Sequence, residues 1–267
     1  MNWSRVQAII GRELLEIVKN RLLIFTIFLP PLLLTIIPIG MFAVLGNEMT
    51  GGNLNSGGSL ERLVALSPNM AKYSPNELMQ LIVFQQFLVL YLVLPLIIPM
   101  TVAAHSIIGE KQARSLEPLL ATPIRTGELL FGKSIAAVVP AVLATWLAYG
   151  VFFGGASFVT TPRVLAGLFN PMWIVAMIVL TPLLALLSVS IAVVISSRVN
   201  DTRVAQQIGG MLVIPAVALG LAQTTGFILL NALTFVIGSV VIALIDVGVL
   251  YIATKIFERE KILTQWK

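Results

Sequence analysis

Residues 109–133 read GEKQARSLEPLLATPIRTGELLFGK, the longest charged and polar island in a chain that is otherwise mostly hydrocarbon. Three acids, four bases and two prolines surround the pair Leu119 and Leu120, and long apolar runs press against both ends. A polar loop held between apolar runs fixes the fold class, because such runs are stable as helices only where water is absent. Of 267 residues, 58% are hydrophobic and 11% charged, against about 25% charged in an ordinary soluble domain. With about 20 apolar residues needed per crossing, the runs occupy most of the chain and leave no room for a soluble catalytic domain. The expectation is an all-α integral membrane protein built as one transmembrane domain over residues 1–267.

Outward from the island, the apolar runs predict six spans, at 22–45, 78–104, 135–153, 172–195, 204–221 and 227–253. Residues 1–21 precede them as an amphipathic elbow helix. Trp3, Val6, Ile9, Ile10, Leu14, Ile17 and Val18 recur at three- and four-residue spacings, and Arg5, Arg12, Glu13, Glu16 and Lys19 fall on the other side. That apolar face either sinks among lipid headgroups or packs on neighbouring protein. Pro30, Pro31 and Pro38 interrupt the first span and predict a bend. Residues 46–77 form a Gly, Asn and Ser-rich external loop, and 105–134 form the loop that carries the island. A second, shorter polar island, SSRVNDTRVAQQ at 196–207, carries Arg198, Asp201 and Arg203. The last run exceeds what a bilayer requires, so its first turn or two either form a short re-entrant piece or belong to the span itself.

Charge sets the orientation. Fourteen Lys and Arg lie in the N-terminal segment, the two islands and the tail, against Arg62, Lys72 and Arg163 on the opposite face. This bias places both termini and both islands in the cytoplasm, in a multi-pass protein of the cell membrane. The net charge of +5 is thereby a matter of topology, and no clustered basic patch points to nucleic acid.

Gly127 to Ser134, GELLFGKS, satisfies the spacing of a phosphate-binding loop. The match is read as chance: no strand precedes it, bulky residues fill its variable positions, and the next residues enter the membrane. Cysteine is absent and His105 is the only histidine, so neither a metal centre nor a cofactor site is expected in this chain, and no catalytic set is visible. Asp246 lies inside the last span, about 13 Å from Lys255 at 1.5 Å per residue. One reading makes it a cation or proton site or part of a pathway lining; the simpler one is a buried hydrogen bond to Ser188, Ser190 or Gln86. Gly150 and Gly154 have the small-xxx-small spacing that lets helices approach closely.

Within the first island, Pro118 and the pair Thr122 and Pro123 confine 117–121 to little more than one helical turn, and Thr126 with Glu128 starts the next helix. The result is a short stiff knuckle. It offers Leu116, Leu119 and Leu120 to a groove and Glu110, Arg114, Glu117 and Arg125 to a charged rim, a pattern that suits docking into another protein or lying on a membrane surface. At these residues the sequence resembles the membrane subunit of type-2 ABC exporters, whose first cytoplasmic loop commonly reads E-K-E-x-G-T-L-E-x-L-L-x-[ST]-P and then E-L-x-x-G-K. Here EKQARSLEPLLATP and ELLFGK stand in those places, with Gln112, Arg114 and Pro118 as departures.

The resemblance implies a permease paired as a homodimer with separate ATP-binding subunits that hold the ATP and magnesium. Residues 109–133 would be its coupling helix region. The cargo expected from an apolar pathway is hydrophobic or amphipathic, drug-like or lipid-like. The alternatives are an ion-coupled secondary transporter using Asp246, and a membrane anchor with no transport.

Overall fold

The computed structural model describes residues 2–51, 72–113, 126–224 and 232–256, and every element it shows there is helical. In chain order these are α1 (Trp3–Lys19), α2 (Arg21–Gly51), α3 (Pro75–Tyr91), α4 (Leu94–Gln112), α5 (Thr126–Val159), α6 (Pro162–Leu168) and α7 (Pro171–Val175). A π-helical turn (Ala176–Leu180) leads into α8 (Thr181–Arg198), followed by α9 (Thr202–Gly210), α10 (Val213–Thr224) and α11 (Ala232–Ile256). Six segments are long and apolar enough to cross a membrane: Arg21–Val44, Pro75–Gln112, Gly127–Val159, Pro171–Arg198, Thr202–Ala222 and Leu233–Ala253. The chain is a multi-pass membrane protein.

Each of these segments overlaps one of the expected spans, and several extend beyond it. α2 runs through the start of the expected external loop to Gly51, and the span from Pro75 to Gln112 breaks at Leu92–Val93 ahead of Pro95. Its start is fixed by a capping box: the Ser74 hydroxyl accepts from the Glu77 amide while the Glu77 carboxylate accepts from the Ser74 amide. Beyond the expected end at 104, α4 continues eight residues to Gln112, and α5 begins at Thr126. Residues 105–112 and 126–134 of the expected loop are therefore helical, and 114–125 lie outside the described residues. The second island is partly helical likewise, since α8 ends at Arg198 and α9 starts at Thr202. Polar composition misled here because the charged positions Glu110, Glu128 and Lys133 turn inward and are buried, while the outward positions of the same helix ends stay exposed. The expected re-entrant turns before Ala232 fall outside the described residues.

α4 is the centre of the bundle, packed against α5, α8 and α9. Ile98, Ala104 and Ile108 are wholly buried. Aromatic rings join the neighbouring helices at the break: Tyr91 stacks on Tyr149 with centroids 4.8 Å apart, and Phe84 meets Phe42 at 4.8 Å and Phe152 edge-on at 5.4 Å. The Tyr91 hydroxyl is satisfied by Thr35 at 2.6 Å, and Thr35 also donates to the Pro31 carbonyl. This last bond sits in the proline-rich part of α2, where Pro residues leave the ladder without donors.

α1 packs chiefly on α5 and also on α2. Val6, Ile9 and Ile17 are buried, while Trp3, Leu15 and Val18 remain outward, so part of the amphipathic face meets protein and part is left for the interface. The helices close together because Gly132 has no side chain: a Cβ there would stand 2.8 Å from Ile9 Cγ2 and 3.0 Å from Ile9 Cβ. Gly132→Val is expected to destabilise by about 1–3 kcal/mol through overpacking. Thermal unfolding of the purified chain measures this, and Ile9→Ala in the same chain should recover much of the loss if the Ile9 contact is the cause.

Gly150 and Gly154 do not join two helices within this chain. A Cβ on either would meet nothing within 4 Å, and both line an apolar cavity of about 530 Å³ shared with Phe153, Phe169, Trp173 and Met177.

Candidate functional site

The helix ends that frame residues 113–125 converge on one buried ammonium group. Lys133 lies on α5, two turns into the helix, and only 6% of its side chain is exposed. Its Nζ donates to Glu13 Oε1 at 2.6 Å and to Ser106 Oγ at 2.6 Å, and forms an ion pair with Glu110 Oε2 at 2.9 Å. Two of the three ammonium protons thus meet acceptors on α1 and α4, and the charge is paired with carboxylates from both helices. Ser106 in turn donates to Glu13 Oε2 at 2.7 Å, and Arg12 Nη2 lies 3.3 Å from Glu110 Oε1. Two cations and two carboxylates balance, which is the condition under which charges stay buried.

The cluster pins α1 to α4 and α5 on either side of the polar loop, and two further ties hold the ends of α1. The Asn2 amide donates to Glu128 Oε1 at 2.6 Å, with Arg5 3.9 Å from the same carboxylate, and Asn20 Nδ2 donates to His105 Nε2 at 3.1 Å. Glu110 is thereby corrected: expected on an exposed rim, it is 6% exposed, because α4 continues through it and turns it toward α1 and α5. Glu13, expected on the polar side of α1, is buried for the same reason. The sequence reading missed Lys133 as a structural centre. The remaining docking residues, Arg114, Leu116, Glu117, Leu119, Leu120, Thr122 and Pro123, lie outside the described residues.

The segment resembling a phosphate loop is helical over Gly127 to Ser134, so its backbone amides belong to the helix rather than to a phosphate cradle. Gly132 admits Ile9 and Lys133 holds carboxylates, which accounts for both marker residues.

The second island is bonded to the end of α4. Gln112 Nε2 donates to the Asn200 carbonyl at 2.8 Å, and Lys111 Nζ reaches the Val199 carbonyl at 3.5 Å. The two polar loops thus leave the bundle side by side. Asp201 caps α9, its Oδ1 accepting from the Arg203 amide at 2.7 Å, and Arg198 and Arg203 lie beside it at the surface.

Asp246 stands apart from this junction, 2% exposed on the inward stripe of α11. The expected hydrogen bond is not formed with either serine: Ser188 donates to the Leu96 carbonyl and Ser190 to the Leu186 carbonyl. Neither Asp246 oxygen has a hydrogen-bond partner among the described residues, Gln86 included.

A family model described as an ABC-2 family transporter protein covers residues 7–255. The chain belongs to the ABC-2 transporter family. It is the membrane component of such a transporter, a permease. No curated protein matches the chain.

In this ABC-2 permease the Asp201 cap separates two roles that the sequence left joined. Asp201→Ala is expected to cost about 1 kcal/mol through loss of the cap, whereas Asp201→Asn keeps an acceptor and removes the charge. Thermal unfolding of both variants distinguishes them: equal losses would show that charge, not capping, is what Asp201 supplies.

Proposed function

We propose that this chain is the permease of an ATP-driven exporter, paired as a homodimer, with separate ATP-binding subunits docked on residues 109–133. The junction supports this reading most directly: one buried lysine fastens both helix ends that frame the loop to α1, and the second loop is bonded to the same helix end. A push on the first loop therefore moves α1, α4 and α5 together, as rigid-body transmission requires.

The basic residues gathered at this end favour a cytoplasmic position for both termini and both loops, in the cell membrane. Leu116, Leu119 and Leu120 enter the partner's groove, with Arg114 and Glu117 on the charged rim, Thr122 and Pro123 ending the knuckle, and the second loop with Arg198, Asp201 and Arg203 contributing a further contact. ATP and magnesium are held by the partner, and this chain performs no hydrolysis. The apolar cavity beside Gly150 and Gly154 suits a hydrophobic or amphipathic cargo.

Flux through reconstituted vesicles tests the proposal. The expected result is export that needs ATP and the ATP-binding subunit together. Flux by this chain alone, driven by an ion gradient and lost in Asp246→Asn, would overturn it in favour of a secondary carrier.

A further inference from the structure

Asp246 lies fourteen residues after the start of α11 and ten before its end, roughly 15 Å from the basic end of the bundle. α11 turns Phe235, Ser239, Asp246 and Ala253 inward, while Val240, Leu244, Val247 and Tyr251 face out. The inward stripe meets α8, α7 and the π turn. The Trp173 and Phe235 rings lie 5.8 Å apart, and eleven residues further along each helix come Leu184 and Asp246, about 16 Å on at 1.5 Å per residue.

No counter-charge is available at that level among the described residues. α7, the π turn and residues 181–197 of α8 contain no titratable side chain, and 204–254 contain no Lys, Arg or His. On α11 itself the nearest cation in sequence is Lys255, and Tyr251 points outward. The nearby hydroxyls are committed: Ser188 and Ser190 as described, and Ser239 to the Phe235 carbonyl. A carboxylate buried with neither donor nor cation is costly, and polar groups of this kind inside membranes mark pathways.

We propose that Asp246 recognises the charge of an apolar organic cation, an ammonium or phosphonium wrapped in hydrocarbon, which reaches it when α11 parts from α8. A metal ion would need several oxygen ligands, and Asp246 is the only acid among residues 171–197 and 204–254, whose buried residues include Leu184, Ala185 and Phe235. An organic cation needs one counter-charge and apolar walls, and both are present. α11 lies at the edge of the bundle, and the span it leans on contains the π turn, a local widening that is frequent at functional sites.

This names a cargo class within the permease reading and rests on that reading only for the word cargo. Binding is measured on the full chain in detergent without any ATP-binding subunit, so its failure leaves the vesicle experiment untouched, and the converse also holds. The probe is radiolabelled tetraphenylphosphonium in equilibrium dialysis. Saturable binding is expected, weakened about thirtyfold or more in Asp246→Asn, weakened by acid as protons compete, and unaffected by triphenylphosphine oxide, an uncharged molecule of similar shape.

Absence of saturable binding, equal binding by Asp246→Asn, or competition by triphenylphosphine oxide as strong as that by unlabelled tetraphenylphosphonium would overturn the proposal. A second measurement needs no variant. Dicyclohexylcarbodiimide adds the carboxyl O–H across its C=N bond with no leaving group, and peptide mass mapping locates the adduct. Tetraphenylphosphonium should protect Asp246 and leave labelling elsewhere unchanged; labelling of Asp246 that is indifferent to the cation contradicts the assignment.

Discussion

Replacing Lys133 with methionine is expected to destabilise the chain by about 3–5 kcal/mol, the cost of breaking a buried ion pair from one side. Methionine keeps an unbranched apolar side chain, so the loss reports charge rather than volume. It leaves Glu13 with the Ser106 hydroxyl and Glu110 with Arg12, a partner about half exposed. In thermal unfolding the shift should be roughly 10 °C for a chain of this length. Glu13→Gln added to Lys133→Met removes one of the stranded charges and should restore part of the loss, giving a coupling energy of about 1 kcal/mol or more in a double-mutant cycle. Additive effects would show that the two side chains touch without depending on each other.

The second large effect falls on assembly rather than folding. Leu119→Asp puts a charge where the docking knuckle offers its apolar anchor, and Glu117→Lys reverses the rim beside it. Together they should weaken association with the ATP-binding subunit by about thirtyfold or more, as expected for a central interface anchor. The melting temperature of the permease itself should stay within about a degree, because the expected knuckle projects from the bundle and surface changes of this kind cost little. Lys133→Met should do the reverse, lowering stability while leaving the knuckle's residues in place. Titration of the detergent-solubilised permease with its ATP-binding subunit measures the first effect and calorimetry the second. A double variant that still binds normally removes the knuckle from the docking site.

The spans were legible in the sequence because hydrocarbon runs of this length have one stable environment. Their ends were less legible. α4 continues to Gln112 and α5 starts at Thr126 across residues whose charges suggested loop, and packing against α1 is what makes helices there. Glu13 shows what composition concealed. It occupies the stripe Val6, Ile9, Glu13, Ile17, all buried, so its spacing already matched the inward face while its charge argued for the outward one.

Lys133 was set aside with the phosphate-loop pattern, rightly as regards phosphate, but a lysine closely followed by a membrane span calls for a counter-charge. Glu13 and Glu110 were the acids available. Asp246 was visible as an anomaly, and its isolation became apparent only once Ser188 and Ser190 were seen bonded to carbonyls.

The central claim is that residues 109–133 face the cytoplasm and carry an ATP-binding partner. A chain without cysteine allows a direct test with the single variant Leu119→Cys. The account predicts that the introduced thiol resists a membrane-impermeant maleimide added outside intact cells, reacts after permeabilisation, and cross-links to the ATP-binding subunit with a yield that changes on adding ATP. Labelling from outside, or an intact complex in which that thiol stays freely reactive and uncross-linked, would contradict it.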